Sequence, residues 1–443
     1  VWATAGLVKI HDKPDRDAPV IGAFRNGQSV VMREDEQPFK RRQLYGCTDG
    51  WYPIEPRGWA CVGGAGHGSL DGSAPAVRAA AEALPDLKKA YPFRFGVSVG
   101  APFYLRIPTA QEQAEAEPGL AEHRANLPPP DAAEGGAIDA SPAGRPPSKT
   151  LTQYFKQAKL PLKDPKKKAY PGFKVAWTQQ FDAEGRTWLL TPDLYLIPKD
   201  KVRQQPLPQL TGVNLRKEPE MALPLLFTWL TDAVKYKLDD KQNVVPTDEK
   251  WPRHTFIPAT GGMTKGDRGR WYWNARDGHL AYYSDVTIIK KAGRYAGVGP
   301  QDKWVHVRVT WGYLVAYEGD TPVYATAVSP GIDGISARAH ATARGKQYVD
   351  WKLLSGDMDG RDRGKDWYVD EVPWVQYYRG NFALHGAWWH DDFGRPKSHG
   401  CINVPPADAM WLFKWMDPQL PPGWYAVSPY APVAKSTVIY IQY

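Results

Sequence analysis

The sequence predicts a mainly β protein made of several small domains, and three observations support this. Short apolar runs alternate with Gly- and Pro-containing turns along most of the 443 residues. A pattern of an aromatic strand, a turn and a second aromatic strand recurs along the chain. Helical periodicity with good helix formers is clear in one Ala-rich segment, 76–90. The length suffices for three or four domains, each with its own core.

Residues 1–66 are expected to form the first of these domains. Apolar runs such as 7–10, 18–22 and 28–32 alternate with turns, and a hairpin with aromatic strands, 50–62, closes the segment. This pattern is typical of a small β-barrel. It resembles the bacterial Src-homology-type barrels that accompany cell-wall enzymes.

The rest of the chain divides into four further predicted segments. Residues 67–90 read as a linker helix, and 91–209 as a second barrel-like unit. That unit contains a flexible insertion, 108–149, which is too poor in large apolar residues to offset the entropy of ordering. The hairpin pattern recurs at 185–197, within the second unit, and again at 269–283. The later recurrence predicts a third barrel-like unit at 210–295. Residues 296–443 are left as a C-terminal domain, in which the runs 303–309 and 313–320 read as an opening hairpin.

The net charge of +8 is compatible with an anionic partner. Lys and Arg are spread over every segment, so no basic helix predicts nucleic-acid binding. A mildly cationic protein suits an anionic cell-wall matrix, although a solvated surface needs no partner. No run of eighteen apolar residues predicts a membrane span. The first residues, 1–5, lack an initiator Met and signal-peptide character, which indicates a trimmed or mature form.

The three cysteines fall into two settings. Cys47 and Cys61 lie close together in the first module, whereas Cys401 stands alone in a His-rich stretch. One structural disulfide and one free thiol fit an exported protein. Spacing alone does not establish a bond, so three unrelated thiols is the alternative.

The stretch from His385 to Asn403 carries the chemistry that we expect of the whole chain. His385 is followed by Gly386 and then by the run Ser398-His399-Gly400-Cys401-Ile402-Asn403. Only the thiolate is a good nucleophile, and an ordinary Cys is mostly protonated at neutral pH, so a neighbouring His is needed as base.

This run resembles the catalytic signature of the L,D-transpeptidases, the YkuD-type cysteine enzymes of the bacterial cell wall. The flanking segments 372–386 and 404–413 resemble the strands and short helix that frame the site in that family. The fold implied for the C-terminal domain is a YkuD-type β-barrel or sandwich with short helices. The family's Thr-Pro-x-Gly turn reads Thr342-Ala343-Arg344-Gly345 here, so its Pro is missing.

The resemblance assigns a role to each residue of the motif. Cys401 is the nucleophile and His385 the base, its ring oriented by the main-chain oxygen of Gly386. His399 supports the site, and main-chain N–H groups around Gly400 and Cys401 hold the oxyanion. Ser398 and Asn403 hold the loop in place.

Aromatic residues near the motif are candidates for a donor-peptide cleft. The substrate-cleft candidates are Trp374, Tyr378, Trp388 and Trp389, with Tyr377 beside them; core packing is the alternative. Met358 stands where the family has a flap over the cleft. Aromatic strands of the barrel modules are candidates for binding glycan strands, with core packing again the alternative.

The resemblance implies a cofactor-free acyl transfer between peptidoglycan stem peptides in the periplasm or cell envelope. Cys401 would release the terminal D-Ala of a tetrapeptide stem, and a diamino-acid side-chain amine of another stem would resolve the thioester. Acylation by carbapenems is a further expectation. With water as acceptor the enzyme would be an L,D-carboxypeptidase, with a D-amino acid an exchange enzyme, and with a lipoprotein Lys an anchoring enzyme.

Other interpretations of the site remain open from the sequence. His399 is an alternative base. His390, with Asp391, Asp392 and His385, is a weak metal pattern, because it lacks fixed ligand spacing. A papain-like protease is disfavoured because its Cys precedes its His. A non-catalytic cell-wall-binding protein is the alternative outside enzymes.

Overall fold

The computed structural model describes residues 1–39, 47–127, 146–157, 160–332, 340–362, 364–429 and 436–443. The protein is mainly β, with several sheets and a few short helices, which confirms the predicted class. The chain forms two compact units. The first comprises Val1–Leu207, Leu353–Pro373 and Leu420–Tyr430, and the second comprises Pro208–Lys352, Trp374–Gln419 and Ala431–Tyr443. No helix in the described ranges is both long and apolar enough to span a membrane.

The helices are short. In chain order they are α1 (Pro75–Glu82), α2 (Ala110–Ala116), α3 (Leu120–Ala125), α4 (Lys149–Gln157) and α5 (Pro406–Trp415).

The strands up to residue 207 belong to the first unit. They are β1 (Trp2–Ala3), β2 (Leu7–His11), β3 (Val20–Arg25), β4 (Gly50–Pro53), β5 (Trp59–Val62), β6 (Gly68–Ser69), β7 (Arg94–Ser98), β8 (Ala101–Tyr104), β9 (Lys163–Ala169), β10 (Lys174–Trp177), β11 (Gln179–Ala183), β12 (Arg186–Leu190), β13 (Leu196–Pro198) and β14 (Val202–Gln204).

The remaining strands follow in the C-terminal half. They are β15 (Leu225–Thr228), β16 (Ala233–Leu238), β17 (Val244–Trp251), β18 (Phe256–Lys265), β19 (Trp271–Ala275), β20 (Leu280–Tyr282), β21 (Val286–Ile289), β22 (Lys303–Arg308), β23 (Tyr313–Glu318), β24 (Thr321–Ala327), β25 (Gly345–Tyr348), β26 (Trp351–Asp362), β27 (Lys365–Arg379), β28 (Phe382–Gly386), β29 (Ile402–Val404), β30 (Ala426–Val427) and β31 (Val438–Gln442).

The N-terminal module follows from the alternation of its sequence. In β2, Val8 and Ile10 are buried while Leu7 and Lys9 are exposed, so one face of the strand meets the core. This strand pairs antiparallel with both β3 and β5. Cys47 and Cys61 are joined by a disulfide bond, which packs beside Trp51 and Trp59.

Part of the predicted flexible insertion is ordered in the structure. Residues 128–145 lie outside the described residues, whereas α2 and α3 occupy the segment just before them. A capping box between Thr109 and Glu112 begins α2. Beyond its end, Glu117 accepts a hydrogen bond from Arg186 (Oε1–Nη1 2.6 Å). Caps and ion pairs therefore order a segment that has few large apolar residues.

The three predicted aromatic hairpins all form. Antiparallel pairing joins β4 to β5, β12 to β13 and β19 to β20. The first two belong to the first unit and the third to the second unit. The larger division of the chain into four domains and a linker helix stays a prediction.

The second unit contains two sheets and the strands that carry the motif. One sheet has the strand order β17-β16-β20-β19-β18-β15-β21, and the other has the order β24-β23-β22-β31-β25. The opening hairpin predicted for the C-terminal domain corresponds to β22 and β23. The strands predicted before His385 and the helix predicted after Cys401 form as the end of β27, β28 and α5. These three predictions are confirmed.

Candidate active site

Two short parallel strands bring the motif together. His385 lies in β28 and pairs in register with Asn403 of β29. Cys401 precedes β29 by one residue and stands two positions before Asn403. Register partners, and residues two positions apart in extended chain, share a face of a sheet, so we expect His385 and Cys401 to project from the same side. At ordinary strand spacings their Cα atoms lie about 8 Å apart, a distance that the two side chains span.

His385 is buried and oriented by its own strand. Its side chain is 2% exposed, and Nδ1 lies 3.3 Å from the carbonyl oxygen of Gly386. A carbonyl oxygen only accepts, so Nδ1 carries the proton and Nε2 presents a lone pair. The ring stacks on Trp389, with 5.7 Å between the centroids. Burial lowers the pKa of His385 to about 4, so the ring is neutral at pH 7.

Cys401 is a free thiol that remains partly exposed. Its Sγ lies 3.8 Å from the main-chain oxygen of Asn381. Desolvation raises the pKa of the thiol to about 11, although the main-chain N–H of Ala383 donates to it. The resting site therefore holds a neutral thiol and a neutral imidazole rather than an ion pair.

The loop before Cys401 is fixed by Ser398 and Gly400. Ser398 Oγ donates to the carbonyl oxygen of Cys401 (2.6 Å) and accepts from the N–H of Gly400 (3.1 Å). Gly400 has a φ of +124°, and a Cβ there would stand 2.2 Å from Cε1 of Phe382. The loop conformation thus requires glycine. The Gly400 N–H is already engaged, which argues against the expected role of this amide as an oxyanion donor.

Asn403 and His390 tie the loop to its neighbours. Asn403 is 2% exposed and forms an antiparallel bridge with Ser329. Its Nδ2 lies 2.9 Å from Nε2 of His390, and His390 Nδ1 accepts from the N–H of Asp392 (3.2 Å). With Nδ1 as the acceptor, the neutral ring carries its proton on Nε2, so the approach of Nε2 to Nδ2 is a contact between two donors, and His390 holds the loop through the Asp392 hydrogen bond.

His399 takes a different position from His385. Its side chain is exposed, and its ring packs edge-on against His340 with 4.8 Å between the centroids. The supporting role assigned to His399 stays a prediction.

The cleft candidates separate by burial. Trp374 and Trp388 are 1% and 0% exposed, so they pack in the core, and the expectation that they line a cleft is wrong for these two. Trp374 packs against Phe413, with 5.5 Å between the centroids. Large aromatic side chains gain more from full burial than from a wet cleft, and the sequence does not distinguish the two cases.

The other candidates lie closer to the surface or to the thiol. Trp389 is partly exposed and covers His385. Burial raises the pKa of Tyr377 and of Tyr378, and a negative charge on Cys401 would raise both further. Among the described residues, the buried hydroxyl of Tyr378 has no hydrogen-bond partner. Met358 lies in β26, in a segment of the first unit.

Several supporting residues were missed by sequence reasoning. Arg253, which precedes the motif by more than a hundred residues, donates from Nη1 to Asp391 Oδ2 (3.1 Å) and from Nη2 to the Asp391 carbonyl. Ser329 Oγ donates to the carbonyl of Asp392 (2.8 Å). Neither contact has a local sequence signal, because each joins elements far apart in the chain.

The motif therefore contains a free thiol, a buried neutral imidazole and a loop held by hydrogen bonds, and a thiol with a neighbouring imidazole is the combination that cysteine acyl transfer uses. A comparison of the chain with known protein families points to the same chemistry. Residues 302–439 match the family model of the L,D-transpeptidase catalytic domain, YkuD. That part of the chain is a YkuD-type catalytic domain.

Some solved structures are similar to parts of this chain at low sequence identity. An L,D-transpeptidase from Xylanimonas cellulosilytica is 23% identical over 34% of this chain and 64% of that chain, with a TM-score of 0.21. An L,D-transpeptidase from Mycobacterium smegmatis is 17% identical over 55% of this chain and 89% of that chain, with a TM-score of 0.25. The catalytic domain of the E. faecium L,D-transpeptidase is 20% identical over 32% of this chain and 98% of that chain, with a TM-score of 0.24.

The matched share of the Xylanimonas protein is thus below two thirds of its length. No curated protein matches the chain. The assignment of the domain rests on the family match and on the geometry of the site.

Proposed function

We propose that this protein is a peptidoglycan L,D-transpeptidase of the cell envelope. The observations that support the proposal are the register of β28 with β29, in which His385 pairs with Asn403 two positions after Cys401, and the contact of His385 Nδ1 with the Gly386 carbonyl. This leaves Nε2 as the acceptor for the thiol proton. The family match of residues 302–439 supports the same chemistry.

The first half of the reaction forms a thioester. As Sγ of Cys401 attacks the carbonyl carbon before the terminal D-Ala of a tetrapeptide stem, Nε2 of His385 takes the thiol proton. The carbonyl oxygen becomes an oxyanion, for which the main-chain N–H of Cys401 is the proposed donor, since the Gly400 N–H is bonded to Ser398. Collapse breaks the amide bond, and the leaving amine takes the proton from His385.

The second half transfers the acyl group to an amine. A diamino-acid side-chain amine of another stem attacks the thioester carbon and gives its proton to His385. The C–S bond then breaks, and the Cys401 sulfur recovers the proton from His385. The product is a direct cross-link between the two diamino acids, and the reaction needs no cofactor.

The test uses the purified full chain and its Cys401→Ala variant with tetrapeptide-rich muropeptides, followed by intact-mass analysis. Cross-linked dimers formed by the wild type alone are the expected result. Tripeptide without dimers would make the protein an L,D-carboxypeptidase, and exchange of D-Ala for an added D-amino acid would make it an exchange enzyme. A protein that gives no product and no acyl-enzyme, with muropeptides or with a carbapenem, would overturn the proposal in favour of a binding protein.

A further inference from the structure

A cavity lies in the second unit, among residues that the proposed reaction does not use. Its volume is about 650 Å³, within the range of small-molecule sites. Strands β19, β21, β22, β23 and β31 and the connecting segment 290–296 contribute its walls. None of the residues lining it belongs to the candidate active site.

The cavity is lined by cations. Lys290, Lys291, Arg294 and Arg308 contribute to its walls, and no Asp or Glu is among the described lining residues. Outside the lining, Asp320 stands 3.6 Å from Nε of Arg294, and both side chains are partly exposed. A concave surface with charges of one sign concentrates ligands of the opposite sign. The lining therefore favours an anion.

Two polar atoms on β22 have no partner among the described residues. His306 is 5% exposed, and its Nε2 lies 2.8 Å from Oε1 of Gln442. An amide oxygen only accepts, so Nε2 carries the proton and the buried Nδ1 is an unused acceptor. Burial lowers the pKa of His306, which keeps the ring neutral.

Arg308 supplies the complementary group on the same strand. It lies two residues after His306, so both side chains belong to one face of β22. Its Nη1 is 3.4 Å from Oε1 of Gln442, and its Nε is buried without a partner among the described residues. Unpaired buried polar atoms are costly, and a ligand that carries both an acid and a hydroxyl would satisfy both.

Aromatic side chains form the remaining walls. The rings of Tyr295 and Tyr440 lie 3.9 Å apart, and Trp311 is 45% exposed. Nζ of Lys290 stands 5.1 Å from the centre of the Trp273 ring. Flat aromatic surfaces pack against the C–H face of a sugar ring, while the cations beside them bind its acidic substituent.

The wall formed by the connecting segment is held in place before any ligand arrives. The main-chain N–H of Ala292 donates to the hydroxyl of Tyr317 (2.8 Å). The main-chain N–H of Lys290 donates to the hydroxyl of Tyr313. A site formed in advance loses little entropy on binding.

From these features we infer that the cavity binds an anionic saccharide, a sugar ring that carries a carboxylate or a phosphate. The acid contacts Arg308 and Lys290, a ring hydroxyl donates to Nδ1 of His306, and an aromatic wall packs on the ring. This binding step is separate from catalysis at Cys401, so it stands or falls independently of the transpeptidase reaction.

The test is calorimetric titration of the full chain with three sugars. N-acetylmuramic acid carries a carboxylate, N-acetylglucosamine 6-phosphate carries a phosphate, and N-acetylglucosamine is the neutral match. We expect at least one acidic sugar to bind about tenfold more tightly than the neutral sugar, and to bind more weakly in high salt. A carboxylate preference would point to glycan strands that have lost their stem peptides, because an attached stem converts the muramic acid carboxylate into an amide; a phosphate preference would point to a phosphorylated glycopolymer.

The variants assign the binding to this cavity. Arg308→Gln should weaken binding of the acidic sugar about tenfold or more. Lys290 is more exposed, so Lys290→Gln should weaken binding of the acidic sugar about threefold. This variant replaces Arg308→Gln as the test if Arg308→Gln fails to fold. Lys250→Gln, on an exposed strand position outside the lining, is the matched control and should titrate like the wild type. Equal binding of acidic and neutral sugars, no binding of either acid, or binding that neither cavity variant weakens would overturn the inference.

Discussion

Desolvation controls the reactivity of the individual residues at the site. It raises the pKa of Cys401 to about 11 and lowers that of His385 to about 4. Only the thiolate reacts with a small alkylating reagent. The alkylation rate of Cys401 by iodoacetamide should therefore rise about tenfold per pH unit between about pH 6 and 9, with no plateau, as followed by intact mass.

The alternative state would give a different profile. A preformed thiolate–imidazolium pair would alkylate at nearly the same rate throughout that range, and such a plateau would contradict the pKa values. Cys47 and Cys61 are bonded to each other, so Cys401→Ser should take up no label and serves as the control.

The sequence singled out the candidate reacting residues but not their surroundings. The motif around Cys401 was recognisable because its members lie within nineteen positions, from His385 to Asn403. The burial of Trp374 and Trp388, and the hydrogen bond that engages the Gly400 N–H, depend on how strands far apart in the chain meet. Residue type and spacing carry no information on these contacts.

At the scale of elements, Asp408 joins α5 to the sheet. It is fully buried and accepts hydrogen bonds from the hydroxyl of Tyr324 (2.7 Å), the N–H of Gly212 (2.8 Å) and the hydroxyl of Thr326. Burial nevertheless raises the pKa of Asp408 to about 6. Because the folded pKa lies above the unfolded value, the proton stabilises the fold below about pH 4, and this contribution is lost as the pH rises through 6.

Asp408→Asn should remove this pH dependence while keeping the side chain's size. Relative to the variant, the wild type should lose about 3 kcal/mol of unfolding free energy between about pH 4 and pH 7. Denaturant titrations at a series of pH values measure the difference. Asp248→Asn, at an exposed position, controls for the loss of a charge. Parallel pH profiles for the wild type and Asp408→Asn would contradict the prediction.

The elements themselves were more predictable than their supports. Period-two alternation predicted the hairpin of β22 and β23, and the family resemblance predicted α5. The end of α5 also depends on Lys352, a buried lysine whose Nζ donates to the carbonyls of Phe413 (2.6 Å), Met416 (2.8 Å) and Pro418 (2.8 Å). A lysine is usually exposed, so residue type alone does not predict a buried one beneath this helix.

At the scale of the molecule, the first unit gathers segments from distant parts of the chain. Arg25 of β3 is bonded to Glu371 and to Asp193 (Nη2–Oδ1 2.8 Å), and its Nη1 donates to the hydroxyl of Tyr425 (3.0 Å). Ser355 donates to Glu371 as well. Two segments of the first unit, 353–373 and 420–430, lie within the residues 302–439 that match the catalytic-domain family. A sequence taken in chain order predicts domains one after another. It contains no signal for an ion pair between residues that lie several hundred positions apart.

Loss of this buried network should destabilise the first unit more than any exposed ion pair does. Arg25→Met leaves Glu371 buried without its cation, and such a change costs about 3–5 kcal/mol of unfolding free energy.

Arg361→Met is the matched control, because Arg361 and Asp366 are 71% and 69% exposed and lie 3.4 Å apart; a pair of that kind contributes at most about 1 kcal/mol. The double variant Arg25→Met/Glu371→Met should regain part of the loss, since it removes both charges. Denaturant unfolding followed by tryptophan fluorescence measures all three. If Arg25→Met unfolds like Arg361→Met, the network does not stabilise the unit, and the segments 353–373 and 420–430 are held there by other contacts, among them the antiparallel pairing of β30 with β3.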